Sequence, residues 1–203
     1  DDDGNAESQV ISVTVNPVND AATFGGATTG TEDEDTTITG TLTASDIADG
    51  LSNPNFTVSA DGVNGSATID ATTGAWSYAP NTNFNGSDSF TVTITDDDGN
   101  AESQVINVTV SQVNDDATFG GATAGTGAED DPEITGTLTA SDIDGLTNPN
   151  FTVSADGANG SATINATTGA WSYTPDANFN GSDSFTVTIT DDDGHTETKD
   201  ISI

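Results

Sequence analysis

The sequence contains no cysteine, no methionine and only one basic side chain, Lys199, among 203 residues. The absence of cysteine excludes disulfide bonds and thiolate metal sites. The single lysine faces 34 carboxylates, which gives a formal net charge of −33 at pH 7. Nucleic acids and anionic lipids require Lys and Arg side chains to neutralise their phosphates. Neither is therefore expected as a partner.

The sequence also lacks a secretory signal, a starting methionine and any apolar run long enough to span a bilayer. We expect it to be part of a longer polypeptide that does not insert directly into a membrane. Uncompensated negative charge favours an expanded chain, yet the regular apolar pattern is unlike that of a disordered acidic tail. The composition thus indicates a folded protein that takes up cations.

The dominant feature of the sequence is an internal repeat. Residues 55–100 and 150–195 align without a gap and differ at only six of 46 positions. Trp76 and Trp171 lie 95 residues apart (171 − 76), a repeat length that suits a small β-sandwich. Residues 1–18 also match residues 96–113. The predicted organisation is the last strand of a preceding repeat at 1–18, a first repeat at 19–113 and a second repeat at 114–203.

Apolar residues alternate with Thr, Ser and Asn within each repeat, which is the period of a half-buried strand. Turn pairs such as Asn64-Gly65 and Asp98-Gly99 stand between the alternating segments. The pattern predicts an all-β fold of tandem seven-stranded Greek-key sandwiches, with one short strand near Phe24. The inward-facing residues of the other six strands of the first repeat are Ile38, Gly40 and Leu42; Phe56 and Val58; Ala67 and Ile69; Trp76 and Tyr78; Phe90, Val92 and Ile94; and Ile106, Val108 and Val110.

Acidic loops fall at both ends of each predicted sandwich. Because successive strands reverse direction, the connections alternate between the end where the chain enters (the entry end) and the end where it leaves (the exit end). Residues 32–35 and Asp88 fall at the exit end of the first repeat, and residues 142–144 and 191–193 fall at the entry end of the second. The linker 113–116 joins these two ends. Crowded oxygen ligands without basic partners are typical of Ca²⁺, which takes six to eight oxygens.

Each Asp-rich turn also has a simpler interpretation, as a solvated hairpin that uses Asp-Gly turn chemistry. The convergence of acids from three separated stretches on one junction favours a cation site, because turn preference alone does not require it. Asp70 is replaced by Asn165 in the second copy, and Asp176 replaces Asn81. These two acids are not expected to be essential ligands.

Several motifs follow one another in fixed order along the first repeat. They are Glu34-Asp35, Ile38-Thr39-Gly40-Thr41-Leu42, Ala44-Ser45-Asp46, Trp76-Ser77-Tyr78-x-Pro80, Asn83-Phe84-Asn85-Gly86-Ser87-Asp88-Ser89-Phe90 and Thr95-Asp96-Asp97-Asp98-Gly99. Together they resemble bacterial cadherin-like tandem repeats, the Ig-like extender modules of large RTX-type adhesins of Gram-negative bacteria. The resemblance covers nearly the whole chain.

The resemblance implies an extracellular stalk, stiffened by Ca²⁺, in a cell-adhesion or biofilm protein exported by type I secretion. Its immediate partners would be neighbouring repeats of the same chain, while other domains would contact surface glycans or cell-surface proteins. The metal ligands it implies at the junction are Glu34, Asp35, Asp88, Asn114, Asp115, Asp142, Asp144, Asp191 and Asp192. A weaker set at the entry end of the first repeat, where one residue is inserted, comprises Asn19, Asp20, Asp46, Asp49, Asp96 and Asp97.

An enzyme is not expected. His195 lies where the other copy has Asn100, and neither Cys nor Arg is present to build a nucleophile or an anion clamp. Among 34 carboxylates some pair always lies at a distance suited to glycoside hydrolysis, so such a pair identifies nothing.

The alternative function is an adhesion module that itself binds carbohydrate or protein. Such a module needs an exposed aromatic side chain or an open metal site. Trp76 shares the strand phase of Tyr78, which favours the core over a sugar-stacking surface. Phe24 and Phe119, close to the linkers, remain open to either interpretation.

Overall fold

The structure is a computed structural model that describes residues 3–4, 6–16, 18–47, 50–52, 54–97 and 99–203. The chain divides into two compact units, unit 1 at Asp1–Gln112 and unit 2 at Val113–Ile203. The strands of unit 1 are β1 (Thr23–Gly26), β2 (Thr29–Asp33), β3 (Ile38–Ser45), β4 (Asn55–Ala60), β5 (Gly65–Ile69), β6 (Ala75–Pro80), β7 (Gly86–Thr95) and β8 (Ala101–Ser111). Those of unit 2 are β9 (Thr118–Gly121), β10 (Ile134–Ser141), β11 (Asn150–Ala155), β12 (Gly160–Ile164), β13 (Ala170–Pro175), β14 (Ser184–Thr190) and β15 (Thr196–Ser202).

Each unit is a sandwich of two sheets. In unit 1 the strand orders are β1-β3-β6-β5 and β2-β8-β7-β4, and in unit 2 they are β9-β10-β13-β12 and β11-β14-β15. The prediction of an all-β sandwich fold is therefore confirmed. Among the described residues, no helix is long and apolar enough to cross a membrane.

The start of unit 1 differs from the expected single strand near Phe24. The chain forms β1, which pairs with β3, and then β2, which pairs in parallel with β8 in the opposite sheet. Gly26 allows this change of sheet because it has φ of 79°, and an added Cβ would lie 2.4 Å from the backbone oxygen of Thr41. Unit 1 thus has one strand more than predicted. In unit 2 the counterpart of β2 is reduced to an isolated parallel bridge between Ala124 and Ser202.

The core of each unit follows the predicted alternation. In unit 1, Trp76 is 2% exposed, and it meets Phe90 edge to face at a ring-centroid distance of 5.5 Å. Tyr78 is stacked on Phe90 at a ring-centroid distance of 6.0 Å. The indole Nε1 of Trp76 donates a hydrogen bond to the carbonyl oxygen of Ala27 at 3.0 Å, so the buried polar atom is satisfied. Trp76 is therefore a core residue with no exposed sugar-stacking face.

Unit 2 repeats this aromatic cluster. Trp171 is 2% exposed, lies 5.5 Å from Phe185 and donates to the carbonyl of Ala122 at 2.9 Å. Phe119, the counterpart of Phe24, is half-buried and packs against the core. The same apolar sequence thus produces the same packing twice.

The middle of β3 contains a glycine because the indole of Trp76 occupies the space of a side chain. A Cβ added at Gly40 would lie 2.4 Å from Cζ2 of Trp76, and one added at Gly136 would lie equally close to Cζ2 of Trp171. Such distances force a shift of the ring or the strand.

Replacing Gly40 by Ala is expected to lower the free energy of unfolding of unit 1 by about 1–3 kcal/mol, because the methyl group overpacks the site. This cost opposes the gain of up to about 1 kcal/mol that Ala normally brings to an open strand position. Chemical denaturation followed by near-UV circular dichroism measures the effect. Thr41→Ala, on the exposed face of β3, is the control, and an unchanged or higher stability of Gly40→Ala contradicts the packing argument.

Candidate metal centre

The entry end of unit 2 brings together acids from two separate stretches. Asp115 precedes β9, while Asp142 and Asp144 lie in the loop between β10 and β11. The backbone N–H of Asp115 donates to Oδ2 of Asp144 at 2.6 Å, and the N–H of Asp144 donates to Oδ1 of Asp142 at 2.9 Å. Oδ2 of Asp142 is buried and has no hydrogen-bond partner. Three of the predicted ligands are therefore neighbours within one unit.

Asp191 lies in the turn between β14 and β15, where it is only 9% exposed. Its Oδ1 accepts hydrogen bonds from the backbone N–H groups of Asp193 at 2.9 Å and His195 at 2.8 Å. Its Oδ2 lies 3.3 Å from Nδ1 of His195. Burial raises the pKa of Asp191, but hydrogen bonds from the backbone of His195, Gly194 and Asp193 outweigh it, and the pKa lies below its usual value. Asp191 is thus held as a carboxylate.

Glu197 on β15 belongs to the same end of unit 2 and was not among the predicted ligands. Its pKa is raised, first by burial and then by the negative charges of Asp116, Asp191 and Asp142. Its Oε2 is buried without a hydrogen-bond partner. The repeat contained a signal for this residue, because Glu7, Glu102 and Glu197 occupy the same position in three copies of the strand. A glutamate within a strand resembles an ordinary solvent-facing residue, which conceals this signal.

The entry end of unit 1 has a similar arrangement. Asp96 is 7% exposed and accepts hydrogen bonds from N–H and Nδ2 of Asn100 at 2.8 and 2.9 Å. Glu102, the counterpart of Glu197, accepts a bond from Nδ2 of Asn19 at 3.4 Å through Oε1, while its buried Oε2 has no hydrogen-bond partner. Asp46 is half-buried and Asp20 is exposed. The predicted ligand Asp49 lies outside the described residues.

Asp192 and Asp97, two further predicted ligands, join loops within their own units. Oδ2 of Asp192 accepts hydrogen bonds from N–H of Thr147, at 2.9 Å, and from its hydroxyl. Oδ1 of Asp192 accepts the N–H of Asn148 at 3.1 Å. Oδ2 of Asp97 likewise accepts N–H and Oγ of Ser52 at 3.1 and 2.5 Å. These hydrogen bonds connect the loop after β10 to the turn after β14 in unit 2, and the loop after β3 to the turn after β7 in unit 1.

The exit end of unit 1 contains Glu34 and Asp35. Glu34 is 6% exposed, and its N–H donates to the carbonyl of Ser111 at 2.8 Å, which places it beside the end of β8. Asp35 has a positive φ of 59°, and its Oδ1 accepts the N–H of Asn83 at 3.1 Å. Two of the predicted ligands therefore lie where the chain leaves unit 1.

Asp88, at the same end, is surrounded by donors. Its Oδ2 accepts the hydroxyl of Tyr78 at 2.6 Å and the N–H of Asn64 at 2.7 Å, while Oδ1 accepts the N–H groups of Ser89 at 2.8 Å and Val63 at 3.3 Å. Burial raises the pKa of Asp88, but these four bonds outweigh it and hold the pKa below its usual value. Burial, the hydrogen bond and the charge of Asp88 together raise the pKa of Tyr78. Asp88 thus joins the turn before β5 to the start of β7.

The chemistry of these ends suits a hard cation. Among the described residues, no group of three or more His, Asp or Glu side chains is placed so that it could hold a metal ion. The available donors are nevertheless carboxylate, amide and backbone oxygens, which Ca²⁺ prefers. The buried oxygens of Asp142 and Glu197 that lack hydrogen bonds are costly unless a cation compensates them. The donor atoms at the entry end of unit 2 are therefore of the chemical kind that Ca²⁺ binds.

Comparisons with known proteins agree with this fold. Residues 114–203 match the family model described as a bacterial cadherin-like domain, and residues 19–109 match that of a bacterial Ig domain. Each of the two repeats thus matches a family model, and the resemblance to bacterial cadherin-like and Ig-like domains is confirmed. Bacterial domains of this class are extracellular and typically non-enzymatic, consistent with an adhesin-type module. A comparison with curated proteins gave no match.

Solved structures of cadherin ectodomains share the fold. Extracellular cadherin domains 3–6 of protocadherin gamma B2 give a TM-score of 0.51 at 15% identity, over 90% of this chain and 46% of that one. The extracellular domain of protocadherin gamma B4 gives 0.50 at 13% identity, over 91% of this chain and 32% of that one. The chain spans less than half of either structure. At these identities the likeness concerns the fold alone.

Replacing Tyr78 by Phe is expected to lower the stability of unit 1 by about 1–3 kcal/mol at pH 7, because a hydrogen bond to a charged group is lost. Since the folded pKa of Asp88 is depressed, its contribution to stability is complete above the unfolded value, near 4, and is lost as pH falls through the folded pKa. The variant should therefore lose less stability than the wild type on acidification.

Urea denaturation of both proteins between pH 3 and pH 8 measures this difference. Tyr173→Phe provides the matched variant in unit 2, where the same hydrogen bond joins Tyr173 to Asp183. Parallel plots of unfolding free energy against pH for wild type and Tyr78→Phe contradict the assignment.

Proposed function

We propose that this chain is a calcium-binding extender segment of a large bacterial adhesin, in which Ca²⁺ at the junction between repeats stiffens the array. The observation that supports the proposal most directly is the set of buried carboxylate oxygens without hydrogen bonds, on Asp142 and Glu197 in unit 2 and on Glu102 in unit 1. An oxygen of this kind occurs at the entry end of both units. A cation is the natural compensation, since the chain has a single lysine.

The proposed ligands at the junction come from both sides of the linker. Glu34 and Asp35 follow β2 in unit 1, and Asn114 and Asp115 follow β8 by a few residues in the sequence. The entry end of unit 2 supplies Asp142, Asp144 and Asp191, to which we add Glu197. Asp88 and Asp192 remain in the predicted set, but their hydrogen bonds already give them a role within their own units. Bound Ca²⁺ would supply positive charge and fixed coordination directions to these oxygens.

The stiffening follows from electrostatics. With a formal charge of −33, like charges on either side of a linker repel one another and keep it extended and variable. A cation shared across the linker removes this repulsion and restricts its motion. Such a segment suits an RTX-type adhesin of a Gram-negative bacterium, secreted by the type I route. Its direct partners would be the neighbouring repeats, and other domains would bind the target surface or contribute to a biofilm.

Calcium is expected to raise the melting temperature of unit 2, because the ion binds the folded form. At a free calcium concentration of 100 times Kd, the free energy of unfolding increases by about 2.7 kcal/mol. Glu197→Gln should have opposite effects in the two conditions. In chelator it should raise the melting temperature, since the raised pKa of Glu197 reports repulsion by its neighbours, and in calcium it should reduce the gain.

Scanning calorimetry, with hydrogen exchange to assign each transition to its unit, measures both effects. Asp176→Asn is the matched control, because unit 1 has Asn81 at this position and Asp176 is exposed. A Glu197→Gln protein that melts as the wild type does in chelator and in calcium would refute this ligand assignment.

Small-angle X-ray scattering of the two-unit chain tests the mechanical role. Calcium should change the maximum dimension and narrow the distribution of distances relative to excess chelator, because a shared ion limits motion about the linker. Asp142→Asn combined with Glu197→Gln should abolish the response, and Asp176→Asn should retain it. Identical scattering in the two conditions excludes stiffening even if calcium binds.

A further inference from the structure

The described residues before β1 carry an exposed apolar stripe. Ile11, Val13 and Val15 are 82%, 78% and 85% exposed, and they alternate with polar residues as in a strand. Contiguous apolar surface of this kind marks a site of contact. No strand is assigned in the segment Ala6–Asn16.

The sequence of this segment identifies what covers it. Residues 6–15 equal residues 101–110 of β8 at every position but one, where Ser12 replaces Asn107. The three exposed apolar side chains correspond to Ile106, Val108 and Val110, which are 0%, 1% and 2% exposed in β8. The structure therefore contains nearly the same sequence twice, once as a strand in a sheet and once with no strand assigned.

The surroundings of β8 define the missing partner. β8 pairs antiparallel with β7 along its length and in parallel with β2, and its apolar face closes the core. The spacing to the following unit is also repeated, because Ser111 precedes Thr118 of β9 by seven residues and Asn16 precedes Thr23 of β1 by seven. The segment thus has the same position relative to unit 1 as β8 has relative to unit 2.

We infer that Ala6–Val15 is a strand that completes a sheet of another sandwich of this same type. In that sandwich the edge of the strand equivalent to β7 is open. A preceding repeat would occupy this place. The inference rests on strand pairing and holds whether or not calcium binds. The segment would insert between the strands equivalent to β7 and β2 of the acceptor sandwich. Its three apolar side chains would then lie in the core of that sandwich.

Unit 1 cannot use its own segment in this way. β8 fills the groove, and a ten-residue strand along it covers about 33 Å from the entry end to the exit end. The eight residues from Val15 to Thr23 reach at most about 29 Å, which is too short to return to β1 at the entry end. The strand must therefore be donated to another sandwich, and unit 1 of a second molecule becomes an acceptor once its own β8 is removed from the sheet.

The test opens that groove in the 203-residue chain. Ile106→Asp with Val108→Asp removes β8 from the core, and the intact segment of a second molecule should replace it. We expect dimers or larger assemblies by light scattering, with residues 6–15 protected in hydrogen exchange. Adding Ile11→Asp and Val13→Asp should abolish both the assemblies and the folding of unit 1. Ile11→Asp with Val13→Asp alone should leave unit 1 as in the wild type.

The inference is overturned if residues 6–15 exchange as fast in the Ile106→Asp, Val108→Asp chain as in the wild type, with unit 1 unfolded. A second variant needs no open groove. Asn107→Ser gives β8 the sequence of the donor, and because Asn107 is exposed, the melting temperature of unit 1 should stay within about 3 °C of wild type. A larger loss also overturns the inference. Both experiments are run in calcium and in chelator, so that failure of the calcium proposal is recognised separately.

Discussion

Repulsion among carboxylates with almost no positive charge to balance it is the constraint that shapes this protein. A chain with 34 acids and a single lysine cannot stabilise its carboxylates by salt bridges. It uses backbone N–H groups and hydroxyls, as where Asp88 accepts four hydrogen bonds and Asp192 accepts three. The acids that these donors satisfy join turns within a unit. Those with buried oxygens that lack a hydrogen bond, such as Glu197, are the ligands that we propose for a cation.

This division explains which acids may vary between the copies. In unit 1, Oδ1 of Asp70 accepts the N–H groups of Thr72 at 3.0 Å and Thr73 at 2.8 Å. In unit 2, Oδ1 of Asn165 accepts the equivalent groups at 3.0 and 2.9 Å. The turn needs an acceptor oxygen and no charge, so the amide replaces the carboxylate. The replacement of Asn100 by His195 is a different case. In unit 1 the side-chain nitrogen of Asn100 donates to Asp96, and in unit 2 the imidazole of His195 presents a nitrogen to Asp191.

Most of the fold could be predicted from local patterns, because alternation identifies one face of a strand and Asn-Gly or Asp-Gly identifies a turn. The inward phase of Phe90, Val92 and Ile94 is an example, since all three are fully buried. β2 escaped prediction, because Thr29–Asp33 is polar and becomes a strand only through parallel pairing with β8, far away in sequence. The burial of Glu197 and the bond between Tyr78 and Asp88 were missed for the same reason, as each depends on packing between distant segments.

The parallel pairing of β2 and β8 has a mechanical consequence. In the sequence of unit 1, β2 lies near the beginning and β8 at the end. Their register runs from Thr29 opposite Asn107 to Asp33 opposite Ser111. Tension applied along the polypeptide pulls β2 and β8 in opposite directions along their common axis. The hydrogen bonds between them are then loaded in shear, all at once, and none can open ahead of the others as in a peeled hairpin. The change of sheet at Gly26 thus turns a short polar strand into a clamp against stretching.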